Sequence, residues 1–123
     1  MKSLQGFLKL ISEETRLRVM MLLNEEALCV CELEAILDVP QPRVSKILSK
    51  YRDLGLVIDE RKGKFIYYKL DLKDPLHQTI VSSIKEKRDT IEQLSIDYQR
   101  MLKKEEILNA CQGSPTNVDG PSD

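Results

Sequence analysis

The stretch ALCVCELEAILDVPQPRVSKILSKYRDLG, residues 27–55, decides the fold. Leu33, Ile36 and Leu37 lie at helical spacing and predict a short helix over about Val30–Leu37. Val44, Ile47, Leu48, Tyr51 and Leu54 mark the buried stripe of a second helix that opens at Gln41-Pro42. Asp38-Val39-Pro40 separates the two, because Pro40 disfavours helical geometry at Val39. Proline suits the first turn of the next helix, and Gly55 is its C-terminal cap. Two short helices around a tight break make a helix-turn-helix, whose second helix enters a DNA major groove with its N-terminal residues nearest the bases. At its entry stand Cys29 and Cys31, a thiol pair suited to soft-ion chelation or to redox chemistry.

Upstream, Leu4, Phe7, Leu8 and Ile11 share one face of a first helix over about Lys2–Ile11. Ser12 reads as the N-cap of the next helix, with Glu13 and Glu14 favouring its positive end. That helix turns Leu17, Met20, Met21 and Leu23 inward and ends near Asn24. Downstream, Leu56–Ile58 and Phe65–Leu70 are β-prone runs around Arg61-Lys62-Gly63-Lys64, which predicts a hairpin. Helix-turn-helix followed by hairpin is a winged helix, mainly α with a small β element. From Asp74-Pro75 a helical pattern continues to about Ala110. Two heptad series, Ile84, Ile91, Tyr98 and Leu94, Met101, Leu108, predict a long C-terminal dimerisation helix and hence a homodimer. Residues 1–110 then form one DNA-binding and dimerisation domain, and 111–123, almost without apolar residues, form a disordered tail.

At 123 residues, 41% hydrophobic and 32% charged, the composition is that of a soluble globular domain. No apolar run approaches the ~18 residues that cross a membrane, and the early Glu13 and Glu14 do not fit a signal peptide, which places the chain in the cytoplasm. Three cysteines are an odd number for a disulfide framework. The net charge is −1, yet residues 41–70 hold eight basic side chains against three acidic ones. That concentration suits phosphate contact. Gln41, Pro42, Arg43, Ser45 and Lys46 lie where base edges are read, with Lys50 nearer the backbone and Arg61, Lys62 and Lys64 at the tip of the wing. The expected partner is double-stranded operator DNA with two half-sites. The chain lacks a Cys-x-x-Cys on a βαβ pattern and a phosphate-cradling loop, so no enzyme is expected.

These pieces resemble the ArsR/SmtB family of metal- and arsenic-responsive winged-helix repressors. The resemblance rests on ISEETRLRVMMLL at 11–23, ALCVCEL at 27–33, QPRVSKILSKYRDLGLV at 41–57 and RKGKFIYYKL at 61–70. It implies a homodimeric repressor that leaves its operator when a thiophilic ion binds. Arsenite-sensing members often carry a third cysteine three residues after the second, where this chain has Glu34, and His-Leu where it has Ile47-Leu48.

Soft thiolates select As(III), Sb(III), Cd(II), Zn(II) or Cu(I). Two sulfurs on one ion stand roughly 4 Å apart, given bonds near 2.3 Å. Residues i and i+2 on an α-helix point about 200° apart, so Cys29 and Cys31 either lie partly before the helix or bind by unwinding its first turn. Cys111, the one other thiol, is the candidate third ligand for trigonal As(III) or Sb(III). The single histidine, His77, reads as an ordinary first-turn residue, and Lys87 and Arg88 stand where a zinc site on the long helix needs its second ligand pair. Arsenite or antimonite therefore leads as inducer. A redox switch on the same two thiols and a Cd/Zn-responsive regulator of the same fold are the alternatives.

Overall fold

In chain order the elements are α1 (Lys2–Ile11), α2 (Glu14–Glu25), β1 (Leu28–Cys29), α3 (Val30–Leu37), α4 (Gln41–Asp53), β2 (Val57–Lys62), β3 (Phe65–Leu70), α5 (Pro75–Glu86), α6 (Glu92–Leu102) and α7 (Lys104–Gln112). A single 3₁₀ turn, Arg88–Thr90, lies between α5 and α6. This computed structural model describes the backbone of residues 2–112 and the side chains of residues 3–109. The Cys111 side chain and the expected tail beyond Gln112 lie outside the described residues.

The helix-turn-helix is α3 and α4. Val44, Ile47, Leu48 and Tyr51 are buried against α3 and α2, as their spacing requires. The Tyr51 hydroxyl donates to the Arg16 carbonyl, tying the recognition helix to α2. Between the helices, Asp38 caps α3 in the left-handed region at φ 57°, and its N–H reaches the Glu34 carbonyl at 2.9 Å. Leu54 is not part of the buried stripe. It is the C-cap of α4 and is 56% exposed, because the chain turns away there. Gly55 follows at φ +72°, with its N–H on the Arg52 carbonyl and the Leu56 N–H on the Tyr51 carbonyl. That pair of bonds is a Schellman motif.

Two other local expectations shift by a residue or two. Leu10 rather than Leu8 joins Phe7 in the core, while Leu8 is 45% exposed. Glu13, not Ser12, caps α2 by accepting the Thr15 and Arg16 N–H groups at 3.1 and 2.9 Å. Ser12 turns back instead and donates to the Lys9 carbonyl at the end of α1.

The sheet has three antiparallel strands in the order β1-β3-β2. Its hairpin turns at Gly63-Lys64, with Gly63 at φ +67°, the position where a two-residue type II′ turn requires glycine. β1 extends the hairpin by pairing Leu28 with Tyr68 and Cys29 with Tyr67. The sheet therefore reaches the residues just before α3.

The long C-terminal helix does not form. It breaks at Lys87–Ile91, where Ile91 is extended, and again at Lys103. Neither break contains glycine or proline; tertiary contacts make the first one. Arg88 bonds Glu25 at 2.9 Å and lies 3.6 Å from the Tyr98 ring centroid, which folds α6 back along α2. Leu94 and Met101, taken as a partner-facing series, are each 3% exposed within the chain's own core. At these two positions the heptad spacing serves intramolecular cover, while Ile91 of the other series is 39% exposed. His77 lies in the first turn of α5 as expected, where it is buried and stacks on Phe7 with ring centroids 4.0 Å apart, joining α5 to α1.

Candidate DNA interface and thiol site

Pro40 caps α4 and Pro42 occupies its first turn, so the helix presents its N-terminal side chains outward. Gln41, Pro42, Arg43, Lys46 and Lys50 are exposed, and Ser45 is half-buried. Gln41 donates to the Ser45 hydroxyl at 2.9 Å, fixing two groups that can face bases. Arg43 bonds Glu13 at 2.8 Å. Both partners are accessible, so the pair contributes at most about 1 kcal/mol and can be exchanged for a phosphate or a base edge. Burial alone would raise the Glu13 pKa, but the Arg16 and Thr15 N–H bonds outweigh it, and the nearby Arg43 and Arg16 charges lower it further. Arg61, Lys62 and Lys64 are exposed at and beside the turn of the hairpin. All nine residues expected to meet DNA are therefore on the surface of the two reading elements.

The cysteines occupy a place that helix geometry alone left open. Cys29 ends β1 and is the N-cap of α3, extended at φ −95° and ψ 172°, while Cys31 lies in the first helical turn. Their Sγ atoms are 3.3 Å apart. No unwinding is needed to bring them together, because only one of them is helical. Cys29 is buried and Cys31 half-buried. Glu32 accepts the Cys29 N–H at 3.1 Å, and the Cys29 sulfur faces the Glu32 N–H in return, a capping box with sulfur in the hydroxyl's place. The Cys29 pKa is pushed well up, first by its hydrogen bond with Cys31 and then by burial. At neutral pH Cys29 is therefore a thiol, and a ligand must displace its proton.

Three residues of this cluster had no local signal in the sequence. Glu32 reads there as a helix-start acid, Lys104 as a solvated charge and Tyr67 as a strand residue. Lys104, at the start of α7, pairs with Glu26 at 2.5 Å and with Glu32 at 3.3 Å. Burial would lower its pKa, but the Glu26 hydrogen bond and the Glu32 and Glu26 charges raise it. Tyr67 stands beside Cys29 across β1 and β3. α7, whose backbone carries Cys111, packs along α3. Among the described residues no three His, Cys, Asp or Glu side chains converge as a metal site.

The far end of α3 is held differently. Arg18 bonds both oxygens of Asp97 at 2.9 Å and donates to the Leu37 carbonyl at 3.3 Å. Asp97 is 1% exposed and also accepts from Gln93 at 3.0 Å. Arg100 donates to the Ile36 and Ala35 carbonyls at 2.6 and 2.7 Å. These guanidinium groups satisfy the last carbonyls of α3, which have no partner within the helix.

Comparison with known proteins agrees with this architecture. A family model described as "Bacterial regulatory protein, arsR family" matches residues 13–59, from the cap of α2 into β2. The chain is 43% identical over 63 residues to the arsenical resistance operon repressor of Escherichia coli (strain K12), covering 50% of this chain and 54% of that protein. It is 33% identical over 85 residues to the cadmium resistance transcriptional regulatory protein CadC homolog of Staphylococcus aureus, covering 62% of this chain and 70% of that protein. Among solved structures, the antimony-specific transcriptional repressor AntR superposes with a TM-score of 0.60 at 25% identity, covering 74% of this chain and 81% of that one. The chain spans about half the length of curated relatives such as the E. coli repressor. With the helix-turn-helix, its wing and these matches in agreement, the chain belongs to the arsR family of bacterial regulatory proteins.

Proposed function

We propose that this protein is a transcriptional repressor that binds operator DNA as a homodimer and releases it when As(III) or Sb(III) binds Cys29 and Cys31. The observation that carries this reading is the 3.3 Å approach of two sulfurs at the start of α3, the helix packed on the recognition helix. That approach is shorter than the roughly 4 Å expected from the sequence and corresponds to bonds near 2.3 Å that meet at roughly 90°. Cys111 is the proposed third donor, supported by the docking of its helix, α7, on α3. Arsenous acid and three thiols then condense into three As–S bonds with loss of three waters and no change in oxidation state.

Gln41, Pro42, Arg43, Ser45 and Lys46 are assigned to base reading, Lys50 to phosphate, and Arg61, Lys62 and Lys64 to the wing's contact with the backbone or minor groove. The homodimer is supported by the family's usual assembly and by Leu8 and Leu76, 45% and 48% exposed, which flank the Phe7–His77 contact where α1 meets α5. Names of relatives point to arsenic, antimony and cadmium resistance. A cell that keeps thiols reduced is the setting in which this chemistry operates.

The test is binding to a duplex covering the protein's own upstream region, titrated with As(III), Sb(III), Cd(II) and Zn(II) in reducing buffer. Release by As(III) or Sb(III) is expected, and Cys29→Ser should abolish it while leaving DNA binding intact. Release by Cd(II) or Zn(II) alone would transfer the site to a divalent ion. The 3.3 Å separation also permits a disulfide, so release only after an oxidant is added would favour the redox switch. The contribution of Cys111 is read from Cys111→Ser: unchanged As(III) affinity removes it from the shell.

A further inference from the structure

The three-stranded sheet connects the thiol pair to the wing. Cys29 is the register partner of Tyr67, and Tyr67 is the register partner of Glu60, so the three form one row across β1, β3 and β2. Paired residues project from the same face of a sheet, and a diagonal neighbour two positions along lies within reach of a long side chain. Lys62 is that diagonal neighbour: its ammonium lies 5.7 Å from the Tyr67 ring centroid. Across the strand pair Tyr67 is also the direct partner of Cys29, whose N–H donates to Glu32, which in turn pairs with Lys104. Tyr67 thus adjoins both the thiol cluster and a cation of the DNA-reading hairpin.

We propose that Tyr67 is a positioning residue that communicates occupation of the Cys29–Cys31 pair to the wing, so that ligand binding withdraws Lys62 from DNA. This rests on the thiol-site reading above and adds a second route to the one through α3 and α4. In the ligand-free protein the Tyr67 ring holds the Lys62 ammonium by a cation–π contact. Cys29 is buried and is the direct cross-strand partner of Tyr67, so an ion bound to both sulfurs would crowd the Tyr67 ring. Moving the ring releases Lys62. Because β1 is only two residues long, no other strand residue stands between the sulfur and this ring.

Arsenite is the probe, with the full chain in reducing buffer and DNA affinity measured across a salt series. The chain has four tyrosines and no tryptophan, so tyrosine emission independently reports arsenite uptake. In the wild type, arsenite should weaken DNA binding and make the salt dependence shallower by about two phosphate contacts, one Lys62 from each subunit of the dimer, a slope change near 1.8. Tyr67→Phe keeps the ring and should keep both effects. Tyr67→Leu should still take up arsenite, start from a weaker complex, lose roughly three- to fivefold less affinity on arsenite addition, and show no slope change. Lys62→Gln, on the exposed wing, should likewise abolish the arsenite-dependent slope change, and it serves if Tyr67→Leu does not fold. An undiminished slope change in Tyr67→Leu or Lys62→Gln overturns the coupling and leaves the thiol site standing. Failure of the wild type to take up arsenite overturns the thiol-site reading, and this coupling with it.

Discussion

The two ends of α3 are anchored by different chemistry. At its C-terminal end, two arginines donate to the Ala35, Ile36 and Leu37 carbonyls, and a nearly inaccessible carboxylate holds one of them from both oxygens. At its N-terminal end, the buried Cys29 sulfur and Glu32 carboxylate meet Lys104, whose ammonium also pairs with the partly exposed Glu26. Buried, fully bonded ions tolerate little rearrangement, because moving one partner strands the other's charge. A thiol with a proton to exchange and a partly exposed ion pair can rearrange at low cost. The helix is therefore fixed at its exit and adjustable at its start, which is the end the proposed ligand occupies.

Four substitutions can break or sharpen that contrast. Asp97→Ala should have the largest effect, lowering unfolding free energy by about 3–5 kcal/mol in urea titration, because it leaves the largely covered Arg18 guanidinium without its carboxylate. A loss below 1 kcal/mol would show that the exit is not rigid. Arg100→Met should cost about 1.5–3 kcal/mol by the same measurement, the range for charged hydrogen bonds to otherwise unpartnered carbonyls.

Lys104→Gln should cost less, about 0.5–1 kcal/mol, and the difference should shrink with added salt because the pair with Glu26 is partly exposed. If the start of α3 is the adjustable end, Lys104→Gln should also change arsenite affinity, whereas Arg100→Met should not. The smallest effect belongs to Glu13→Gln, outside both clusters. The folded Glu13 carboxyl titrates below its ordinary value of 4.5, so its contribution is present above that pH and is lost as pH falls through the lower folded value. Wild type and Glu13→Gln should therefore differ slightly at neutral pH and converge in acid, read from urea midpoints across a pH series.

How much of this was legible follows the same division. α3, α4 and the hairpin are local: apolar spacing, Pro40, Gly55 and Gly63 specify them without reference to distant residues. The side chains proposed to face DNA follow from those elements by position alone. β1 carries no local signal, since two residues become a strand only because β3 offers them an open edge. The break after α5 was equally hidden. Lys87–Ile91 contains no breaker, and the helix stops because Arg88 reaches Glu25, 63 positions away in sequence. Heptad spacing in Leu94 and Met101 reported burial correctly but could not say against what. For the thiols, the sequence set the right geometric problem, and the strand before α3 resolves it.

Asp38 gives the proposed switch its mechanical character. Glycine is the usual residue at a left-handed cap, and it would let the joint between α3 and α4 sample many angles. An aspartate confined near φ 57° has far fewer accommodating states. The joint therefore acts as a stiff elbow, and α3 and α4 behave as a bent lever whose fulcrum is the Arg18–Asp97 anchor. A displacement applied at Cys29 is then delivered to Gln41 and Arg43 as rotation, with little of it absorbed in the turn.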